Sequence, residues 1–158
     1  MAKVTLKDGS DYLSKLHDLS KATQTKVLGP AIYDAAGIVA DEIQKGISGL
    51  AVSEENKPGV LNAKQRAGLH NGLGIASLRE DGEYLNVKIG WDGYNDIKTV
   101  RWPKGQPNQM IARSVERGTS FMQATPFVKN SVKKVKKQSI QAMQDRINQE
   151  TEKIMKKE

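Results

Sequence analysis

The chain lacks cysteine and has only two histidines among its 158 residues. The missing thiols exclude disulfides, thiolate zinc sites and cysteine nucleophiles. His17 and His70 are far apart in sequence, and neither stands at a metal-ligand spacing from carboxylates, so we interpret both as solvated or capping side chains. The chain also has no Gly-x-Ser-x-Gly turn to hold an acyl-transfer nucleophile. We therefore expect no acyl-transfer catalysis and no bound metal or cofactor.

Long apolar runs are missing as well. Nowhere do about 18 apolar residues follow one another, which is the length a membrane helix needs. The N-terminal stretch MAKVTLKDGSDY lacks the apolar region of a secretory signal. We expect a protein that is made and assembled in the cytosol.

Positive charge is abundant. The formal net charge is +7 and the isoelectric point is near 9.5, which suits contact with nucleic acid, an anionic membrane or an acidic protein surface. Of the residues, 37% are hydrophobic and 27% are charged. The length of 158 residues corresponds to one domain. We treat residues 1–158 as a single domain in which some helices lie partly outside the core.

Helical periodicity dominates the N-terminal third. Residues 10–24 carry a narrow apolar stripe behind capping groups, and Gly29-Pro30 is expected to break the chain before a second helix. The main core helix should then present apolar residues at helical spacing on one face: Ile32, Ala36, Val39, Ile43 and Ile47.

The middle of the chain has the pattern of a small sheet. Leu85, Val87 and Ile89 alternate with polar or small residues, which indicates a half-buried strand. A flexible partner-binding loop is expected at about 48–62, followed by a short helix over 63–71. Two strands should follow, over 75–79 and 84–91. After them we expect a linker at about 92–108, with a possible edge strand over 97–102, and then a helix over 108–117.

One long helix is expected at the C-terminus. Thr125 should be its N-cap, with Pro126 in the first turn, and nothing breaks the helix from about 126 to 157. About 32 residues at about 1.5 Å each would span roughly 48 Å. A domain of this size should not bury that length, so we expect the distal half to project, pair with another subunit or fray. The sequence thus predicts an α+β fold with a small antiparallel sheet, amphipathic helices and this long helix.

The strongest basic run lies on this last helix. Its members are Lys129, Lys133, Lys134, Lys136 and Lys137. No aromatic residue interleaves with them, so base stacking is unsupported. Two interpretations stay open, a solvated or subunit-facing basic face and a direct contact with the phosphates of nucleic acid.

Residues 113–127, RSVERGTSFMQATPF, form an abrupt corner ahead of that helix. Gly118 should end the preceding helix with a left-handed cap, which requires a positive φ. Phe121 and Met122 should anchor the corner in apolar surface. Glu116 lies between two arginines and is interpreted as a local ion pair.

This corner resembles a hallmark of the neck, or head-tail joining, family of tailed phages, also called gene-product-ten-like proteins. The hallmark reads approximately Glu-x-Gly-Thr, a small hydrophobic group, then Ala-x-Pro-Phe. The matching positions are Glu116, Gly118, Thr119, Met122, Ala124, Pro126 and Phe127. The resemblance is firm over 111–127 and looser from residue 8 to the C-terminus. Ser131 departs from it, because many members carry a small apolar residue there.

The resemblance implies a non-enzymatic structural protein in the neck or tail of a virion, synthesised and assembled in the cytoplasm of a bacterial host. Such proteins form oligomeric rings between the head connector or head-closure protein and the tail-tube or tail-terminator protein. Their ring leaves a channel through which genomic DNA passes. The alternative function is nucleic-acid binding by the lysine-rich last helix.

Overall fold

The structure is a computed structural model that describes residues 1–5, 21–55, 57–82 and 84–156. The helices are α1 (Lys21–Ser48), α2 (Ala63–Gly72), α3 (Asn108–Arg117) and α4 (Phe127–Met155). The strands are β1 (Ala2–Thr5), β2 (Leu73–Ile75), β3 (Arg79–Asp81) and β4 (Tyr84–Trp91). Within these ranges the protein has the predicted α+β fold, a four-stranded antiparallel sheet packed by helices.

The sheet is built around β4, which pairs with each of the other three strands. The predicted alternation along β4 is confirmed, because Val87 and Ile89 are buried while Lys88 between them is exposed. The single strand predicted over 75–79 is wrong, since β2 and β3 pair with β4 on either side of an irregular stretch. There the Leu78 amide donates to the Tyr33 hydroxyl of α1 at 2.7 Å, so the chain turns toward α1 before β3 begins.

The core side of α1 is as predicted. All five residues of the expected stripe are buried, and they pack with Val87 and Ile89 of β4 in one cluster. The predicted break at Gly29-Pro30 is wrong, because α1 continues through Pro30. Val27 and Leu28 before the proline and Ala31 after it are buried against α4, and that burial offsets the cost of about 3 kcal/mol of an internal proline. Of the helix predicted over 10–24, residues 10–20 lie outside the described residues and the rest belongs to α1.

Helix α4 runs antiparallel along α1. Contacts of Ser131 with Glu42 near one end, and of Arg146 with Asp34 further along, fix this direction. The buried face of α4 has these members: Phe127, Val128, Ser131, Val135, Ser139, Met143 and Ile147. The expectation that the distal half of this helix leaves the core is therefore wrong through Ile147, which is 2% exposed.

The connecting loops are more closely packed than their composition indicates. Leu50 and Leu61 are buried at either end of the loop before α2, and Val52 forms a parallel bridge with Leu61. The predicted short helix is confirmed as α2, with Asn62 and Gln65 forming a capping box. The edge strand predicted over 97–102 is wrong, because this segment folds back on itself instead of joining the sheet.

Candidate functional site

The corner, residues 113–127, is organised by Glu116. Its carboxylate accepts hydrogen bonds from the amides of Val128 at 2.8 Å and Lys129 at 3.0 Å. These amides lie in the first turn of α4, where backbone N–H groups have no partner within the helix and where the helix dipole favours a negative charge. Glu116 thus holds the end of α3 to the start of α4, a different role from the local ion pair predicted for it.

Thr125 is not the N-cap of α4 that the sequence predicts. The cap position is Pro126, which makes no side-chain hydrogen bond, and the amide of Thr125 donates to the Val115 carbonyl at 2.7 Å. The capping function therefore comes from Glu116, which lies in the previous helix. Thr125 contributes a second link between the same two helices.

Gly118 ends α3 with φ 76° and ψ 169°. The positive φ is confirmed, but the predicted left-handed cap is wrong, because this ψ is extended and differs from the left-handed helical value of about +47°. A Cβ atom on Gly118 would lie 2.9 Å from the amide nitrogen of Ala124 and 3.0 Å from the carbonyl oxygen of Met122. The corner is too tight there for any side chain.

Thr119 closes the turn that follows. Its hydroxyl accepts from the amides of Phe121 at 3.2 Å and Met122 at 3.0 Å, and its own amide donates to the Met122 carbonyl at 2.8 Å. Met122 packs against the core, as predicted. The predicted anchoring by Phe121 is wrong, because this turn leaves its side chain 81% exposed.

Phe127 is the intrachain anchor that the sequence predicts. It is 5% exposed, and its ring meets that of Trp91 edge to face, with 5.8 Å between centroids. One turn further along α4, the Ser131 hydroxyl donates to the carbonyls of Phe127 at 2.7 Å and Glu42 at 3.3 Å. This small polar side chain thus lets α4 approach α1 closely.

The lysine face of α4 points away from α1. Lys129, Lys133, Lys136 and Lys137 are exposed, and no carboxylate oxygen of the described residues lies within 4.0 Å of their ammonium groups. Lys134 differs, because its ammonium pairs with the Glu42 carboxylate at 2.7 Å. The hydrogen bond from Lys134 lowers the pKa of Glu42 against an opposing effect of desolvation. Sequence reasoning missed this pair, since Glu42 lies in α1 far from the basic run.

The structure therefore brings all seven motif residues together in the corner and places four of the five lysines on an open basic face. Three features of these residues went unpredicted: the exposure of Phe121, the pairing of Lys134 with Glu42 and the cap provided by Glu116. An acid two residues before a helix-ending glycine was the only signal for that cap.

His70 links α1 and α2. Its Nδ1 lies 2.6 Å from the Gln44 amide oxygen, and its Nε2 lies 3.4 Å from the Ser48 hydroxyl. His17 lies outside the described residues. In the described ranges no three His, Cys, Asp or Glu side chains are grouped so as to hold a metal ion, and no helix is long and apolar enough to cross a membrane.

Comparison with known proteins finds no matching family model, no matching curated protein and no matching solved structure.

Proposed function

We propose that this protein is a structural component of a tailed phage or prophage virion, joining the head connector to the tail as an oligomeric ring. The observation that carries the proposal is the bond between Glu116 and the first turn of α4. Together with the positive φ of Gly118 it fixes the angle at which α4 leaves α3. A ring of heterologous contacts closes only at one rotation between subunits, so a ring protein needs such a fixed angle.

Phe121 supplies the second support. A large aromatic side chain that is 81% exposed on a hydrogen-bonded turn loses little further freedom when a partner covers it. Aromatic residues presented in this way are frequent anchors of protein interfaces. We assign Phe121 to a contact with a neighbouring subunit or with an adjoining neck or tail protein.

Gene deletion tests the proposal. Removing the coding gene from the phage or prophage that carries it should yield filled heads and separate tails in the electron microscope, and added purified protein should join them. Portal and capsid genes should lie upstream of this gene and a tail-tube gene downstream. Joined particles in the absence of the protein would refute a neck function.

A single variant tests whether Phe121 lies in this contact. Phe121→Ala should weaken ring formation or tail binding while leaving the unfolding midpoint unchanged, because the side chain is exposed. If this variant joins heads to tails as well as the parent does, Phe121 does not lie in the interface.

Nucleic-acid binding through α4 is the second candidate function. The observation that favours it is the set of four exposed lysines with no neighbouring carboxylate in the described part of the chain. Salt-dependent retention of DNA by the isolated protein, lost when these lysines are replaced, would support it.

A further inference from the structure

Residues 94–107 form a hairpin-like arm that the sequence did not predict. At its base Tyr94 bridges Pro107, and the Asn95 amide donates to the Gln106 carbonyl at 2.9 Å. At its tip Thr99 and Trp102 exchange two backbone hydrogen bonds, of 3.0 and 3.1 Å. The arm is thus closed at both ends, with Val100 and Arg101 at its turn.

The base of the arm is held by amide side chains, of which that of Asn95 is buried. Asn95 is 4% exposed, and its side-chain oxygen accepts hydrogen bonds from the backbone amides of Ile97 at 2.9 Å and Gln106 at 3.1 Å. The Gln106 side-chain oxygen accepts in turn from the Gln65 side chain of α2 at 3.0 Å. The arm is therefore fixed to the domain before any partner arrives, which lowers the entropy lost on binding.

The tip concentrates positive charge. Lys98, Arg101 and Lys104 are all exposed, and no carboxylate oxygen in the described part of the chain lies within 4.0 Å of their charged nitrogens. Val100 is completely exposed between them. The Arg101 guanidinium lies 5.6 Å from the centroid of the Trp102 ring, a cation–π contact that orients it. Three cations without a carboxylate partner among the described residues are thus displayed on one preorganised hairpin.

We propose that the tip of this arm, residues 98–104, binds the phosphate backbone of DNA. Arginine matches the geometry of phosphate oxygens, and the two lysines add point charges on either side of it. A two-stranded hairpin is also narrow enough for the major groove, which is about 12 Å wide. An anionic membrane is a poorer fit, since Val100 is the one fully exposed apolar side chain on the tip and Trp102 is half-buried.

This inference rests on the proposed function only for the source of the DNA. In a neck ring it would identify the arm as the part of each subunit that faces the channel. The binding itself is a property of the folded chain, so its test does not require ring assembly.

The test measures binding of the full chain to a fluorescent duplex of about 20 base pairs by anisotropy, at salt concentrations from about 50 to about 200 mM. Three phosphate contacts predict a slope of about −2.7 for the logarithm of the association constant against the logarithm of salt, or a loss of about 40-fold over that range. The triple variant Lys98→Gln, Arg101→Gln, Lys104→Gln should bind weakly and with a slope near zero.

The matched control is the triple variant Lys133→Gln, Lys136→Gln, Lys137→Gln, which loses the same charge from exposed positions of α4. It should keep the parent's slope. Equal loss in both variants, or loss in the α4 variant alone, would overturn the assignment to the arm. Parent protein that sediments with vesicles containing phosphatidylserine but does not bind the duplex would replace DNA with a membrane and also overturn it.

Two further measurements keep the outcomes separate. Thermal unfolding of both variants should match the parent, because the substituted side chains are exposed. Ring formation is scored in parallel. An arm variant that forms rings but no longer binds DNA supports the inference. If the parent binds DNA through the arm but never joins heads to tails, the arm assignment still holds and only the neck function is refuted.

Discussion

Phe121 and Phe127 are the two phenylalanines of the chain, and their environments are opposite. Phe127 is 5% exposed and lies against Trp91, whereas Phe121 is 81% exposed. Truncating a buried phenylalanine to alanine costs about 3–5 kcal/mol, because apolar contacts are lost and a cavity remains. We expect Phe127→Ala to lower the free energy of unfolding by about this amount. Chemical denaturation with urea measures it.

Phe121→Ala is the matched control, since it makes the same chemical change on the same corner. An exposed substitution usually changes stability by less than about 0.5 kcal/mol. Equal destabilisation by the two variants would contradict the assignment of Phe127 as the anchor of α4.

Gly118 is the second position where a single residue determines the corner. We expect Gly118→Ala to lower the free energy of unfolding by about 1–3 kcal/mol, because a side chain opposes its positive φ and its Cβ would crowd the backbone at Met122 and Ala124. Gly118→Val should be worse and should also reduce the joining of heads to tails. Gly82→Ala separates the two causes, since Gly82 has φ 66° but open space around its Cβ position. Equal losses at Gly118 and Gly82 would refute the crowding.

At the scale of elements, the sequence predicted those features that follow a regular apolar periodicity. The stripe of α1 and the alternation of β4 were predicted because both repeat over several turns or residues. The continuation of α1 through Pro30 was not, because local propensity opposes it. Burial of Val27 and Ala31 against α4 decides the outcome, and contacts between distant segments are invisible to a local pattern.

Helix α4 is a second case in which a local sequence pattern does not predict which residues are buried. The expectation of an unburied distal half followed from the length of this helix in a domain of this size, and the buried face includes two polar residues, Ser131 and Ser139. Both serines are in fact buried, and Ser131 bonds the carbonyls of its own helix and of α1. Likewise the cap of α4 comes from Glu116 in another helix. Motif residues could be identified from sequence, but which of them bond to each other could not.

The contact between α1 and α4 includes a titratable group, Glu42. Its pKa lies below the ordinary value of 4.5, mainly because Lys134 donates a hydrogen bond to the carboxylate. A lowered folded-state pKa contributes stability that is fully present above the unfolded value and is lost as the pH falls through the folded value. We therefore expect the parent to be more stable than Glu42→Gln above about pH 4.5 and the difference to shrink at lower pH.

Unfolding curves of both proteins from about pH 7 to about pH 3 give this comparison. Glu55→Gln is the control, because Glu55 and its partner Lys57 are both largely exposed. A difference between parent and Glu42→Gln that is independent of pH would show that the carboxylate does not titrate with folding.

At the scale of the whole molecule, we distinguish two groups of exposed basic residues. One is the arm tip at Lys98, Arg101 and Lys104, and the other is the lysine face of α4. The second face belongs to a helix that is packed along α1 on its opposite side, so the lysines are presented on a rigid support. This division permits one surface to contact DNA while the other contacts a subunit.

The last prediction separates these roles on α4. Replacing Lys129, Lys133, Lys136 and Lys137 by glutamine should leave the fold intact, because exposed charges contribute little to stability. Lys134 is kept, since its loss would leave the Glu42 carboxylate without its closest partner. We expect this variant to join fewer heads to tails in electron micrographs while its unfolding midpoint and its DNA affinity stay near the parent's. Full joining activity would remove the lysine face from assembly, and a DNA affinity that falls with a reduced salt slope would assign it to DNA instead.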